Sequence, residues 1–292
     1  MCLAEPQTCI NLKRIARSNA VINGDNNHLR KQFPRLFSCE TGRMNYLYDI
    51  QLNHDSQPVC LFMPRKIAHP LMAKVEEQID DMLEKEIRFP VTETQNWCSS
   101  MVVVTKPNGK VHICVDYTQL NKAVKRQIHP MHSVDESLSQ LAGSKIFSKL
   151  DAKSGFWQIP ITKHPKPLTC FITPFSRFAF YRLPFGLSSA SEIFQRTISQ
   201  ILAGLPGVVC YMDNILVHAA DRKTHDQRLC AVLQWLNKAG LTLNEKWDFT
   251  RTTINFLGPI INGDGVSWPS KDLWHHELPR TQECSRTPTI LG

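Results

Sequence analysis

Residues 208–218, V-V-C-Y-M-D-N-I-L-V-H, constrain the fold of this chain more tightly than any other stretch. Two β-rich runs, 208–212 and 215–217, flank Asp213-Asn214, with no glycine or proline inside either arm. β-Branched and aromatic residues suit a pleated surface, and Asp-Asn tolerates turn conformations, so the pattern predicts a hairpin that bends at Asp213-Asn214. A carboxylate at the tip of a partly buried hairpin is costly unless something positive sits on it. The stretch therefore predicts a charged site as well as a turn, with either a metal ion or an arginine as the partner of Asp213.

The remaining elements are arranged about that hairpin. Residues 145–151 alternate as a strand and end on a second carboxylate, Asp151, before the small-residue turn Ala152-Lys153-Ser154-Gly155. Upstream, Met72, Val75, Ile79, Met82 and Leu83 recur at helical steps over 71–87, with Pro70 at the entrance. Residues 101–106 and 110–116 flank Pro107-Asn108-Gly109, a strong hairpin signal that carries Lys106, Lys110 and His112 near its tip. Ser133–Glu136 and Ser189–Glu192 both have capping-box spacing. Strands are predicted at 171–175, 178–183, 241–249 and 253–261, and a helix at 221–239 stopped by Gly240. Residues 1–65 are weakly patterned and read as a connector with short strands near 46–52.

With 292 residues, 42% of them hydrophobic and 21% charged, the chain can bury a sizeable core, which excludes collagen, coiled coil and wholesale disorder. A net charge of +8 and a pI near 9.0 suit a polyanionic partner. The ten cysteines never fall as C-x-x-C, and Cys114 and Cys210 sit in apolar strand patterns, so reduced thiols of an intracellular protein are expected. No secretory leader or membrane-length apolar run is seen, so neither secretion nor membrane insertion is expected.

Two aspartates on neighbouring strand ends can share a divalent cation. Oxygen ligands without a His/Cys cluster favour Mg2+, with Mn2+ as a substitute. Carboxylate-held magnesium beside a basic hairpin that attracts a triphosphate suggests nucleotidyl transfer. In this setting residues 97–121, 147–161, 181–195, 211–217 and 240–258 resemble the reverse transcriptases of gypsy-type long-terminal-repeat retrotransposons.

The resemblance implies an α+β right-hand polymerase with a palm of ferredoxin-like βαββαβ topology and the thumb largely missing. Residues 66–143 and 159–186 would form mainly fingers, 144–158 and 187–265 mainly palm. It makes Asp151 and Asp213 the metal-binding catalytic carboxylates, with Asn214 beside them and Lys246 as proton donor to pyrophosphate. Lys106, Lys110, His112, Ala152, Phe156, Phe185, Gly186 and Gln195 become the nucleotide-binding set, in which Phe156 packs under the sugar and disfavours a ribose 2′-hydroxyl. The implied partners are an RNA or DNA template with its primer, and dNTPs.

Three departures stand against the family pattern. Asn214 replaces the second of two adjacent aspartates and loses its charge. His112 stands where an arginine is usual, and an imidazole offers no bidentate fork. Residues 266–292 lose all periodicity, and a frame-shifted or mispredicted end is the expectation for this tail. Asn214 and His112 separate two readings: an RNA-directed DNA polymerase of impaired activity, and an inactive remnant that at most binds nucleic acid.

Overall fold

The structure is a computed structural model. It describes residues 26–105, 109, 111–127, 133–162, 166–244 and 247–268.

A short helix, α1 (Asn26–Gln32), precedes α2 (His69–Glu84), which carries proline in its first turn and buries Val75, Ile79 and Met82. α2 ends before the predicted residue 87 because Glu86 takes φ +50 and Ile87, fully buried, accepts from Tyr181 N at 2.9 Å in a sheet. Strands β1 (Arg88–Pro90), β2 (Ser99–Thr105) and β3 (Val111–Asp116) follow, then α3 (Thr118–Ala123) and α4 (Val134–Ser139). β2 and β3 pair antiparallel from Ser100↔Asp116 to Thr105↔Val111, as the Asn-Gly signal predicts, and most of the tip lies outside the described residues. The Ser133–Glu136 capping box forms with both reciprocal bonds.

β4 (Ile146–Asp151) leads through a 3-10 turn to β5 (Phe171–Ile172), β6 (Arg177–Phe180) and α5 (Ala190–Ile201). The capping box predicted at Ser189 does not form. Ser189 is within 3.3 Å of Tyr48 Oη, and the Glu192 carboxylate accepts from Arg126 at 2.5 Å, so both caps are spent on tertiary partners. The chain closes with β7 (Val208–Tyr211), β8 (Asn214–Ala219), α6 (Arg222–Lys238), β9 (Asp248–Arg251), β10 (Thr253–Asn255), β11 (Ile260–Asn262) and β12 (Gly265–Ser267). Asp221 caps α6 by accepting from Thr224 N at 2.9 Å.

These strands make three sheets. β1-β6-β5-β2-β3 form one, β10-β11-β12 another, and β7-β8-β4-β9 a four-stranded antiparallel sheet. In chain order the last runs β4-α5-β7-β8-α6-β9, a βαββαβ unit whose spatial order 2-3-1-4 is that of the ferredoxin-like fold. α6 packs on β8 and β4, and one apolar core runs continuously under the four- and five-stranded sheets.

Two stretches differ from expectation. Among the described residues of 241–249, only Leu243, as a lone bridge to Ala152, and the start of β9 pair as strand. The predicted strand 253–261 is split into β10 and β11, because Leu257 and Gly258 take positive φ and reverse the chain. The expected connector is also tied in beyond residue 26: Leu29, Phe33, Leu36, Met44, Tyr48 and Ile50 belong to the main core. Met44 N donates to Gln158 O at 2.8 Å and Asn45 N to Ala239 O at 3.0 Å, so this segment straps the central sheet.

Candidate active site

β4 and β8 are neighbours, and their register brings the two sequence motifs to one end of the sheet. Asp151 pairs with Asn214, and Tyr211 pairs with Asn214 on the other side. The bend is therefore Met212-Asp213, one residue earlier than predicted, and Asn214 is the first residue of β8. The register requires it, because a bend at Asp213-Asn214 would reverse which face each residue of one arm presents. Cross-strand partners share a face, so the uncharged Asn214 stands directly across from Asp151.

Met212 carries φ +51, a strained value for a side-chain-bearing residue, and α5 holds it there. The Gln195 side chain is 4% exposed; its Oε1 accepts from Met212 N at 2.5 Å and its Nε2 donates to Cys210 O at 3.0 Å. Gln195, assigned to nucleotide binding by resemblance, thus lies beneath the turn with its amide bonded to the hairpin backbone.

Asp151 accepts from Asn244 Nδ2 at 2.7 Å, while Ala152 N donates to Asp213 O at 3.2 Å. Burial raises the Asp151 carboxyl, opposed by that Asn244 bond and by Lys149. Asp213 lies on the exposed turn, yet its carboxyl is raised too, first by desolvation among its neighbours and then by the charge of Asp151. Among the described residues, neither carboxylate has an ion-pair partner, and no trio of His, Cys, Asp or Glu is placed for a metal. Two mutually repelling carboxylate oxygens fit magnesium or manganese, which complete their shells from water and phosphate.

Beside the carboxylates runs an aromatic seam. Phe156 lies 5.0 Å from Phe185 and 5.8 Å from Phe194 between ring centroids, and His112 meets Phe185 edge-on at 6.4 Å. Glycines permit it: a Cβ on Gly155 would fall 2.7 Å from the Phe194 ring, and Gly186, at φ +96, would drive one to 2.9 Å from Val115 O. The seam thereby joins β3 of the five-stranded sheet to α5 of the four-stranded one. Lys106, Lys110 and Lys246 lie outside the described residues.

Sequence reasoning missed Asn244, whose stretch reads as plain strand, and Arg182. The Arg182 guanidinium, 7% exposed, donates to the carbonyls of Glu86 (3.2 Å), Trp157 (3.0 Å) and Gly42, locking three segments behind the site. No local signal marks either residue, because their partners are distant in sequence.

The profile of the reverse transcriptase (RNA-dependent DNA polymerase) family matches residues 104–261, more than half the chain, and covers both carboxylates. The chain belongs to the reverse transcriptase family. This reverse transcriptase domain is 33% identical over 91% of its length to the retrovirus-related Pol polyprotein from transposon opus of Drosophila melanogaster, of which it spans 27%. It is 37% identical over 68% of its length to the transposon Tf2-7 polyprotein of Schizosaccharomyces pombe, of which it spans 15%. The domain thus covers about a quarter or less of these polyproteins. Its fold is that of the prototype foamy virus protease-reverse transcriptase, with TM-score 0.75 and 23% identity over 93% of this chain and 37% of that one. A foamy viral protease-reverse transcriptase in complex with RNA/DNA hybrid is similar too, with TM-score 0.75 at 22% identity over 92% of this chain and 37% of that one. Among the described residues no helix is long and apolar enough to cross a membrane.

Proposed function

We propose that this domain, of the gypsy-type branch of retroelements, extends a primer on an RNA or DNA template with dNTPs, at a rate reduced by Asn214 and His112. The observation that carries the reading is the pair of desolvated carboxylates at adjoining strand ends, both raised and neither in an ion pair among the described residues. Asp151 and Asp213 hold Mg2+ or Mn2+, which when bound activates the primer 3′-hydroxyl and stabilises the pyrophosphate leaving group. Asn244 orients the Asp151 carboxylate and Gln195 fixes the turn that presents Asp213. Phe156, backed by Phe185 and Phe194, offers a flat apolar floor for a deoxyribose, with Ala152 and Gly186 keeping the space beside it small. Lys106 and Lys110 attract the triphosphate, and Lys246 supplies a proton to pyrophosphate. Template and primer are held chiefly through backbone charge, so affinity falls with salt.

Asn214, across from Asp151, supports a second reading, a remnant that binds nucleic acid without extending it. Primer extension on poly(rA)/oligo(dT) separates them. The wild-type chain is expected to extend weakly, Asn214→Asp with His112→Arg to extend faster, and Asp213→Ala not at all. Binding without extension in both the wild type and the double reversion would favour the remnant.

A further inference from the structure

Away from the carboxylates, three of the ten cysteines stand in one row across the five-stranded sheet, and backbone pairing sets the row. Cys98, just before β2, donates its N–H to Val59 O at 3.0 Å and accepts from Leu61 N at 2.9 Å, which makes Cys60 its parallel bridge partner. On the other side β2 and β5 run parallel with Ser99 opposite Phe171, and Ser99 N donates to Cys170 O at 2.9 Å, so Cys170 is level with Cys98. Residues level with one another on adjacent strands point to one face, and here the sulfurs meet. The Cys170 thiol donates to Cys98 Sγ at 3.8 Å, while the Cys60 thiol, on the bridge partner of Cys98, points its proton at Leu61 O at 4.0 Å. Cys98 and Cys170 are 2% and 0% exposed beside Ile172 and Ala179, whereas Cys60 is only half-buried.

We propose that Cys60, Cys98 and Cys170 form a peroxide-responsive thiol site, at which Cys60 takes the oxidant and Cys98 closes a disulfide with it. The Cys60 sulfur, as its thiolate, attacks one oxygen of hydrogen peroxide, the O–O bond breaks, and a sulfenic acid and water result; burial and the neighbouring Cys98 raise the Cys60 thiol, so this step quickens as pH rises. The Cys98 sulfur then attacks the Cys60 sulfur; the S–O bond breaks, the S–S bond forms, and the hydroxyl leaves as water with the thiol proton. Two thiols and one peroxide thus give one disulfide and two waters. Level pairing on adjoining strands is the spacing a disulfide needs. Cys98 suits the second step, because the thiol proton that Cys170 donates to its sulfur, aided by Arg177 and opposed by burial, favours its thiolate. Cys170 is a positioning residue. The disulfide would fasten residues 59–61 to the base of β2, the strand that runs to the Asn-Gly hairpin.

The test is peptide mapping of the reduced full chain after treatment with hydrogen peroxide and alkylation, since trypsin leaves these three cysteines on separate peptides. The expected result is a Cys60–Cys98 linked peptide and loss of alkylation at these two of the ten cysteines, regained with dithiothreitol, and no loss at Cys98 in Cys60→Ser. Cys170→Ala should move the pH midpoint of disulfide formation upward, and Cys170→Ser, which keeps a donor, should restore it. The proposal is overturned if Cys60 and Cys98 stay alkylatable at peroxide doses that oxidise the exposed Cys39, or if Cys98 is oxidised equally fast in Cys60→Ser. An unmoved midpoint in Cys170→Ala would remove the role given to Cys170.

Discussion

Gln195 offers the sharpest test of how the site is held. Two of its bonds reach hairpin backbone on either side of Tyr211, and a third runs from Nε2 to Ser199 Oγ at 3.2 Å. Gln195→Met keeps the volume and removes every one of these bonds, leaving Met212 N–H and Cys210 C=O unpaired in a largely buried place. At about 1 kcal/mol net for each backbone group, the loss is about 2 kcal/mol. Gln195→Ala adds a cavity and should cost about 3 kcal/mol. Gln195→Glu keeps an acceptor for Met212 N–H but buries a carboxylate with one oxygen against Cys210 O, and should cost at least about 2 kcal/mol, more at neutral than at acid pH. Urea unfolding reads these differences directly, and for a chain this size Gln195→Met should lower Tm by about 4–8 °C. Greater damage from Ala than from Met, with damage from Glu that lessens as pH falls, is the signature of a hairpin clamp. If all three variants unfold with the wild type while the KM for dNTP alone rises, Gln195 is a nucleotide ligand and the reasoning fails.

Other expectations follow from buried groups. Burial foremost, with Arg228 and His225 nearby, pushes His218 down to about 4. The unfolded chain therefore takes up a proton below about 6.5 that the folded chain refuses until about 4. Stability rises with pH across that window, so lowering the pH from 7 to 4 removes about 3 kcal/mol through this group. His218→Asn, able to keep a bond to Ser144, should flatten the slope of stability against pH; an unchanged slope would assign acid sensitivity elsewhere. Arg182→Ala strips donors from three carbonyls and should destabilise by about 4 kcal/mol in the same unfolding assay, with Arg182→Lys intermediate because one ammonium cannot reach all three. Gly240→Ala should lower Tm markedly, since Gly240 has φ +79 and a Cβ there would meet Arg43 O at 2.2 Å.

Much of the fold was legible because its signals are local. Periodicity marked α2 and α6, Asn-Gly marked the β2/β3 hairpin, and Ser133 with Glu136 marked a helix start. The identical spacing at Ser189 and Glu192 failed, since Tyr48 and Arg126, both far away in sequence, compete for the same side chains. The break at Leu257-Gly258 was passed over because the flanking residues are as β-prone as any strand. Buried residues near the N-terminus lacked a period altogether, as an irregular strap is held by backbone bonds to other segments.

The sequence by itself determined that Asp151 ends a strand, that Asp213 lies in a turn between Tyr211 and Ile215, and, through ordered motifs, which family the chain resembles. Only the tertiary structure decided where the turn falls, since the two-residue bend at Met212-Asp213 depends on register with β4 and on the Gln195 clamp. It also decided that burial and then the charge of Asp151 raise the Asp213 carboxyl, and that Asn214 faces Asp151. A strand's alternation is written in consecutive residues, whereas the charge felt at its end depends on whichever strand the fold lays beside it.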